Sequence, residues 1–298
     1  MAETLLVTGL GGFVGQHIQT QVPPHWRLLP PMALDVLDTA SIDGCLAQCV
    51  PDAVIHLAGQ TFVPESFRNP EKTLQVNLMG TLNLLQALKR HKFNGSFLYV
   101  SSGDVYGQVN EDSLPITESL QPRPSNPYAV SKVAAELLCQ QWSRVEPWRI
   151  MVARPFNHIG PGQRPDFVIA DMARQLVRVN NGLQDPRLIV GDVDVSRDFL
   201  DVHDVISAYF SLLANGRDGE IYNVCSGQEQ SVRGLIEKMA GLLGVKIELV
   251  QDPQRFRPSD QRRVIGCSEK LRQETGWAPA VTIDHTLQCV LTDWRARV

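Results

Sequence analysis

Short apolar runs alternate with segments of helical periodicity along the first half of the chain. The runs are predicted strands and cover residues 4–8, 52–58, 96–100 and 149–153. Apolar positions at helical spacing lie between them, most clearly at 73–90 and 128–144. Strands that alternate with helices predict a parallel sheet covered on both faces. The sequence therefore predicts an α/β protein with a Rossmann-type, doubly wound parallel sheet.

The pattern changes after Pro155, where turn residues become denser. Residues 158–165 read HIGPGQRP, and a predicted helix at 166–180 and a predicted strand at 187–191 follow them. We expect residues 1–156 to form the first lobe, to which the chain returns at about 199–225. We expect 157–198 and 226–298 to form a smaller α/β lobe beside it.

Glycines follow the first predicted strand at once. Gly9, Gly12 and Gly15 are evenly spaced, and the predicted helix 13–22 begins among them. Such glycines permit a tight turn, let backbone amides approach a pyrophosphate, and let the helix pack closely on the sheet. We therefore predict a dinucleotide site in this turn, formed by Gly9, Gly12, Phe13, Val14 and Gly15.

Asp35 is a candidate cofactor contact, but the chain just before it is irregular. It lies about 20 residues past the glycine turn, a distance at which an acid commonly binds the ribose 2′-hydroxyl of NAD. However, only residues 30–33 separate the predicted second strand, 26–29, from Leu34 and Asp35, and a parallel crossover needs a dozen or more residues. One strand is therefore irregular or missing, and the sequence leaves both NADP(H) and NAD(H) open.

A candidate catalytic set consists of Ser102, Tyr128 and Lys132. Tyr128 and Lys132 are four residues apart, so a helix places them on one face. A free tyrosine has a pKa of about 10, and a nearby ammonium together with a nicotinamide charge can lower it. Ser102 follows the predicted strand 96–100, at the sheet edge where open α/β proteins bind ligands.

Composition narrows the choice of partners. The 298 residues include 28 basic and 32 acidic ones, for a net charge of -4, without a long run of either sign; we expect neither nucleic acid nor a membrane as partner. The absence of a long apolar stretch and of signal-peptide features predicts a cytoplasmic protein. The 6 cysteines and 7 histidines are dispersed, which predicts reduced structural thiols and no metal site.

Six motifs carry a family resemblance. In chain order they are TGLGGFVG, HLAG, QVNLMGTLNLL, SSGDVYG, NPYAVSK and RPFNHIGPGQ. Together they resemble extended short-chain dehydrogenases that act on nucleotide sugars, and within that group the reductases of GDP-4-keto-6-deoxymannose and the related 4,6-dehydratases. The resemblance implies that Ser102 hydrogen-bonds the reacting oxygen and Tyr128 donates a proton. It implies that Lys132 lowers the pKa of Tyr128 and holds the nicotinamide ribose.

The same resemblance implies further binding residues and a homodimer. The implied cofactor contacts, beyond the glycine turn and the catalytic pair, are Asp35, Val36, Leu57, Ala58, Gly59, Asn77 and Pro155. The implied substrate contacts, besides Ser102 and Tyr128, are Asp104, Asn157, Arg197, Arg257 and Asp260. Arginine suits a nucleotide diphosphate because its guanidinium binds phosphate oxygens in pairs. Relatives commonly dimerise through helices such as 73–90 and 128–144.

The residues after Ser102 favour one reaction of this group. A 4,6-dehydratase needs acid–base groups beyond the tyrosine, and the resembled dehydratases carry an acid or serine and then a glutamate where this chain has Gly103 and Asp104. We therefore predict NAD(P)H-dependent reduction of the C4 keto group of GDP-4-keto-6-deoxy-D-mannose to GDP-D-rhamnose. The alternatives are a dehydratase, an epimerase, a UDP- or dTDP-sugar substrate, or a non-catalytic NAD(P) sensor.

Overall fold

Eleven strands form three sheets in the computed structural model, which describes residues 2–30, 34–252 and 261–298. The strands are β1 (Glu3–Thr8), β2 (Trp26–Leu28), β3 (Ala53–His56), β4 (Ser96–Val100), β5 (Arg149–Pro155), β6 (Asn157–Ile159), β7 (Arg187–Val190), β8 (Ser196–Asp201), β9 (Ile221–Val224), β10 (Glu229–Ser231) and β11 (Glu248–Gln251). All counts of elements here refer to those described residues.

Eleven α-helices connect and cover the strands. They are α1 (Phe13–Gln21), α2 (Thr39–Gln48), α3 (Val63–Arg68), α4 (Pro70–Leu74), α5 (Gly80–Arg90), α6 (Pro127–Ser143), α7 (Val168–Asn180), α8 (Val202–Asn215), α9 (Val232–Leu243), α10 (Glu269–Thr275) and α11 (Ile283–Arg297). A π-helical segment, Gln75–Met79, joins α4 to α5, and short 3₁₀ turns lie at Gly103–Tyr106 and Glu111–Ser113. Within the described ranges, no helix is both long and apolar enough to span a bilayer.

The large sheet has the strand order β2-β1-β3-β4-β5-β9, and all neighbouring strands are parallel. Successive side chains of a strand point to opposite faces, so in β1 Leu5 and Val7 enter one buried cluster and Leu6 enters another. Helices α1 and α8 cover the first face, and α2, α5 and α6 cover the second. The predicted doubly wound parallel sheet is confirmed.

Strand β2, at one edge of this sheet, is only 3 residues long. Between β2 and α2, residues 29–30 and 34–38 contain no further strand. The Asp38 carboxylate caps α2 by accepting from the amides of Ala40 and Ser41.

The smaller lobe contains the two minor sheets. Strand β8 pairs with β6 in parallel and with β10 antiparallel, while β7 pairs with β11. Helix α7 packs in this lobe through one apolar face. Ile169, Met172 and Leu176 follow helical spacing on that face and lie in one buried cluster with side chains of α9 and α11.

The chain passes between the lobes several times. It enters the smaller lobe after Pro155, returns with α8 directly after β8, adds β9 to the large sheet, and leaves again for β10. Leu271 and Trp277 then pack with α8 on the large sheet. We propose a two-lobe division with residues 1–156 and 202–225 in the first lobe, together with 269–277.

Candidate active site

The carboxyl ends of β1, β3, β4 and β5 lie side by side at one edge of the large sheet. The glycine turn follows β1, Leu57–Gly59 follow β3, Ser102 follows β4, and Pro155 ends β5. The parallel topology therefore brings most of the predicted cofactor and catalytic residues to one edge, where open α/β sheets bind their ligands.

The glycine turn requires glycine at two positions. Gly9 has a φ of +78°, and a Cβ there would lie 2.8 Å from the Ala58 nitrogen. A Cβ on Gly15 would lie 2.5 Å from the Gly9 oxygen. At Gly11, by contrast, a Cβ would meet no described atom within 4 Å, so the turn is open on that side. Gly12, the N-cap residue of α1, has no side chain that could accept a hydrogen bond from the first amides of that helix. The turn thus fits the pyrophosphate of a dinucleotide.

Asp35 and Val36 lie between β2 and α2. Asp35 accepts a hydrogen bond from the Leu37 amide at 2.9 Å, which makes a local turn. Val36 is buried against the start of α5, where a Cβ on Gly80 would come within 2.6 Å of its Cγ2. The Asn83 side chain donates to the Val36 carbonyl oxygen at 3.0 Å. This fixes the Asp35–Val36 backbone relative to α5.

The structure brings Ser102, Tyr128 and Lys132 together. Helix α6 begins at Pro127, and its N-cap Asn126 accepts from the Ala129 amide at 2.7 Å. Tyr128 and Lys132 are therefore held on one buried face, with Lys132 only 3% exposed. Tyr128 hydrogen-bonds the Ser102 side chain. The Lys132 ammonium donates to the Val100 carbonyl oxygen at 2.8 Å and lies 5.9 Å from the Tyr128 ring centroid.

The protein's own groups raise the pKa of Tyr128. Burial is the largest cause, the charge of Asp104 adds to it, and the hydrogen bond with Ser102 opposes it. Burial also lowers the pKa of Lys132 to about 8, against the opposing charge of Glu136. The lowering predicted from the sequence involves the nicotinamide charge as well as Lys132, and the protein's own groups alone do not supply it. Tyr128 is instead held in its protonated form, which can donate a proton.

Asn77 lies in the π-helical segment and is almost fully buried. Its Oδ1 accepts from the Gln60 amide at 2.7 Å, and its Nδ2 donates to the Gln60 carbonyl oxygen at 3.0 Å and to Ser131 Oγ at 2.8 Å. A Cβ on Gly59 would lie 3.0 Å from Asn77 Oδ1 and 3.6 Å from Lys132 Nζ. Asn77 therefore ties the loop after β3 to the helix that carries the catalytic pair.

The predicted substrate residues lie on both lobes. Asp104 is in the 3₁₀ turn after Ser102, and its amide donates to Ser102 Oγ at 3.2 Å. Asn157 is exposed in β6, and Arg197 lies in the neighbouring strand β8, where it donates to the Ser196 carbonyl oxygen at 2.8 Å. Arg257 and Asp260 lie outside the described residues.

Asp198, beside Arg197, has a structural role in the smaller lobe. It is fully buried and accepts from the amides of Ser226, Gly227 and Gly266 at 2.8 to 3.1 Å. These bonds hold the loop after β9, and Gly266, against β8, so the Asp198 side chain faces the protein interior.

A buried ion pair between Arg154 and Glu136 lies one helical turn after Lys132 and was not predicted from the sequence. Arg154 donates to both carboxylate oxygens of Glu136, at 2.9 and 2.6 Å, and its guanidinium lies 4.8 Å from the Tyr106 ring centroid. Glu136 follows Lys132 by four residues, as Lys132 follows Tyr128, so that spacing was the available signal.

Nowhere in the described chain do three His, Cys, Asp or Glu side chains form a metal-binding cluster.

A glycine turn after the first strand of a parallel sheet, with a half-buried serine and a buried tyrosine and lysine at the same edge, defines an extended short-chain dehydrogenase fold and site. The chain belongs to the GDP-mannose 4,6 dehydratase family, whose model matches residues 29–290.

Relatives of known structure and name support this assignment. GDP-6-deoxy-D-mannose reductase of Pseudomonas aeruginosa is 59% identical over 302 residues, covering 100% of this chain and 99% of the relative. A structure of RMD from Pseudomonas aeruginosa complexed with NADPH superposes with a TM-score of 0.95 at 58% identity, covering 99% of this chain and 100% of that one. UDP-glucose 4-epimerase of Thermus thermophilus in complex with NAD has a TM-score of 0.85 at 28% identity, with coverages of 99% and 100%.

Proposed function

We propose that the protein uses NADPH to reduce the C4 keto group of GDP-4-keto-6-deoxy-D-mannose to GDP-D-rhamnose. The observation that carries the proposal is the 59% identity, over the whole chain, to a GDP-6-deoxy-D-mannose reductase. A structure similar to this chain over 99% of its length was solved with NADPH, which favours that coenzyme.

The roles of the chain's own residues follow from the site geometry. The glycine turn, Leu57–Gly59 and Lys132 would hold the dinucleotide, and when bound its reduced nicotinamide supplies the hydride that C4 accepts. Ser102, which hydrogen-bonds Tyr128, holds the keto oxygen next to the phenol. Tyr128, which its raised pKa keeps protonated, gives its proton to that oxygen as the negative charge develops. Lys132 places a positive charge behind the ring.

Gly103 favours reduction over dehydration. A Cβ at this position would lie 3.2 Å from Cγ and Cδ2 of the Phe156 ring, so the ring leaves little room for a side chain there. The resembled dehydratases place an acid or a serine at this position and a glutamate at the next. With glycine and the shorter Asp104, the site lacks the base expected to remove the C5 proton, whereas reduction needs only Ser102, Tyr128 and Lys132.

Cofactor consumption tests this proposal directly. We expect GDP-4-keto-6-deoxy-D-mannose to oxidise one equivalent of NADPH, measured at the reduced-nicotinamide absorbance band, and NADH to be used less well. GDP-mannose, which has no ketone, serves as the control and should oxidise none. Conversion of GDP-mannose without net change in the cofactor would identify a dehydratase. An unchanged absorbance with the keto sugar would contradict the proposal.

We also propose a homodimer formed by the face of α3, the π-helical segment and α6. Large apolar side chains are exposed on these elements, which pack next to one another: Phe67, Met79, Val130 and Leu137. Val130 and Leu137 are seven residues apart and share one face of α6, and Leu137 is 61% exposed. A second copy of the chain would bury this face, as a homodimer interface requires.

Leu137→Asp is expected to weaken this dimer, because it places a carboxylate in an apolar interface. We expect the dimer dissociation constant, measured by sedimentation equilibrium, to rise at least about tenfold, which corresponds to roughly 1.4 kcal/mol. Leu242→Asp is the matched control, since Leu242 is an exposed leucine of the smaller lobe on α9. A monomeric wild-type protein, or equal effects of the two substitutions, would contradict this interface.

A further inference from the structure

His56, the last residue of β3, has hydrogen bonds on both ring nitrogens. It is 1% exposed, its Nδ1 lies 2.7 Å from Thr8 Oγ1, and its Nε2 lies 3.0 Å from Thr81 Oγ1. Both threonines are buried as well. Thr8 ends β1, directly before the glycine turn, and Thr81 lies in the first turn of α5, directly after the π-helical segment. His56 therefore bridges the two segments that flank the predicted cofactor site.

The outer ends of this bridge fix the direction of every hydrogen bond. The Ala58 amide donates to Thr8 Oγ1 at 3.1 Å, and Thr81 Oγ1 donates to the Asn77 carbonyl oxygen at 2.6 Å. A carbonyl can only accept, so the single Thr81 proton is used there and His56 Nε2 must donate to Thr81. Thr8 then donates its own proton to Nδ1. The ring is thus the neutral Nε2–H tautomer.

The surroundings of the ring keep it neutral. Burial, together with the positive charge of Lys132, lowers the pKa of His56 to about 3. The rings of Phe97 and Tyr99 on β4 pack against it at centroid distances of 6.0 and 5.9 Å. A protonated ring would also need Nδ1 to donate to Thr8, whose proton already points at Nδ1. The chain of hydrogen bonds therefore keeps one polarity over the working pH range.

We propose that His56 is a positioning residue that couples the loop after β3 to Asn77. Through Thr8 it holds the Ala58 amide, and through Thr81 it holds the Asn77 backbone. Asn77 in turn hydrogen-bonds Gln60 and Ser131, the latter beside Lys132. The inference rests on the proposed function in one respect, namely that Ala58 and Lys132 contact the dinucleotide. Breaking the bridge should loosen the cofactor loop relative to the catalytic helix.

Thr81 provides a matched pair of variants. Thr81→Ser keeps the hydroxyl, whereas Thr81→Val keeps the shape and removes it, leaving His56 Nε2–H and the Asn77 carbonyl without their partner. We expect Thr81→Val to raise the dissociation constant of NADPH about tenfold, measured by equilibrium titration without sugar, and to lower kcat as well. Thr81→Ser should restore both values to within about twofold of wild type. Equal NADPH affinity in the two variants would overturn the coupling.

The tautomer of His56 can be measured by NMR spectroscopy, without an activity assay. In ¹⁵N-labelled protein, the His56 side chain should show a protonated Nε2 and an unprotonated Nδ1, with no titration between pH 6 and pH 9. A His56 that titrates in this range, or that carries its proton on Nδ1, overturns the proposal. Neither the NADPH titration nor the ¹⁵N measurement uses a sugar, so a wrong sugar substrate would leave these two results unchanged. A failed NADPH oxidation assay is thereby distinguished from a failed role of His56.

Discussion

Tyr128→Phe should lower kcat by about a hundredfold to ten-thousandfold while NADPH still binds. A positioned general acid contributes about that factor, and phenylalanine keeps the ring but removes the proton that Tyr128 donates to the keto oxygen. Lys132 would keep its hydrogen bond to the Val100 carbonyl oxygen, so its position should not change. The measurements are single-turnover oxidation of NADPH and an equilibrium titration of NADPH.

Tyr99→Phe is the control for this substitution. Tyr99 is also buried next to Lys132, which lies 5.1 Å from its ring centroid, and among the described residues its hydroxyl has no hydrogen-bond partner. Removing that hydroxyl should leave turnover close to wild type. If Tyr99→Phe lowered kcat as much as Tyr128→Phe, loss of any buried hydroxyl would explain the effect and the assigned proton donor would be wrong.

Arg154→Met should destabilise the fold by about 3 to 5 kcal/mol, because it leaves the Glu136 carboxylate buried without its partner. Both side chains are about 3% exposed, and two hydrogen bonds connect them. The free energy of unfolding in urea, measured without nucleotide, reports the loss. Since Glu136 lies one turn after Lys132 on α6, the catalytic helix should be the element most disturbed.

Removing both charges distinguishes the effect of an unpaired buried charge on stability from the effect of lost side-chain volume. The double variant Glu136→Met with Arg154→Met leaves no unpaired buried charge, so it should recover most of the lost stability. Lys238→Met breaks the exposed pair with Asp284 and should cost no more than about 1 kcal/mol. A double variant less stable than Arg154→Met, or a Lys238→Met variant equally unstable, would refute the importance of burial.

The sequence predicted the parts of the structure that depend on local pattern. Strand β4 begins and ends where the apolar run 96–100 does, and the four-residue spacing of Tyr128 and Lys132 predicted their shared helix face. The glycines after β1 predicted a turn in which Gly9 and Gly15 are sterically required. Apolar periodicity and glycine spacing report backbone geometry, and the carboxyl edge of the sheet then follows from the topology.

What the sequence did not show depends on contacts between distant residues. His56 meets Thr8 across 48 positions and Thr81 across 25, and Arg154 meets Glu136 across 18. None of these pairs lies within one element, so no local spacing predicts which two residues meet. The burial that raises the pKa of Tyr128 in the protein alone likewise depends on the fold and has no marker in the sequence.

Two of the described connections between the lobes are very short. Only Phe156 separates β5 from β6, and β8 runs into α8 without an intervening residue. Such links have little room for the backbone rotation that a hinge requires. Entry of a large nucleotide sugar should therefore depend on side chains and surface loops at the cleft rather than on one lobe swinging over the other. Neither of the proposed lobes is a continuous stretch of chain, so truncation at a single point would not remove one lobe and leave the other complete.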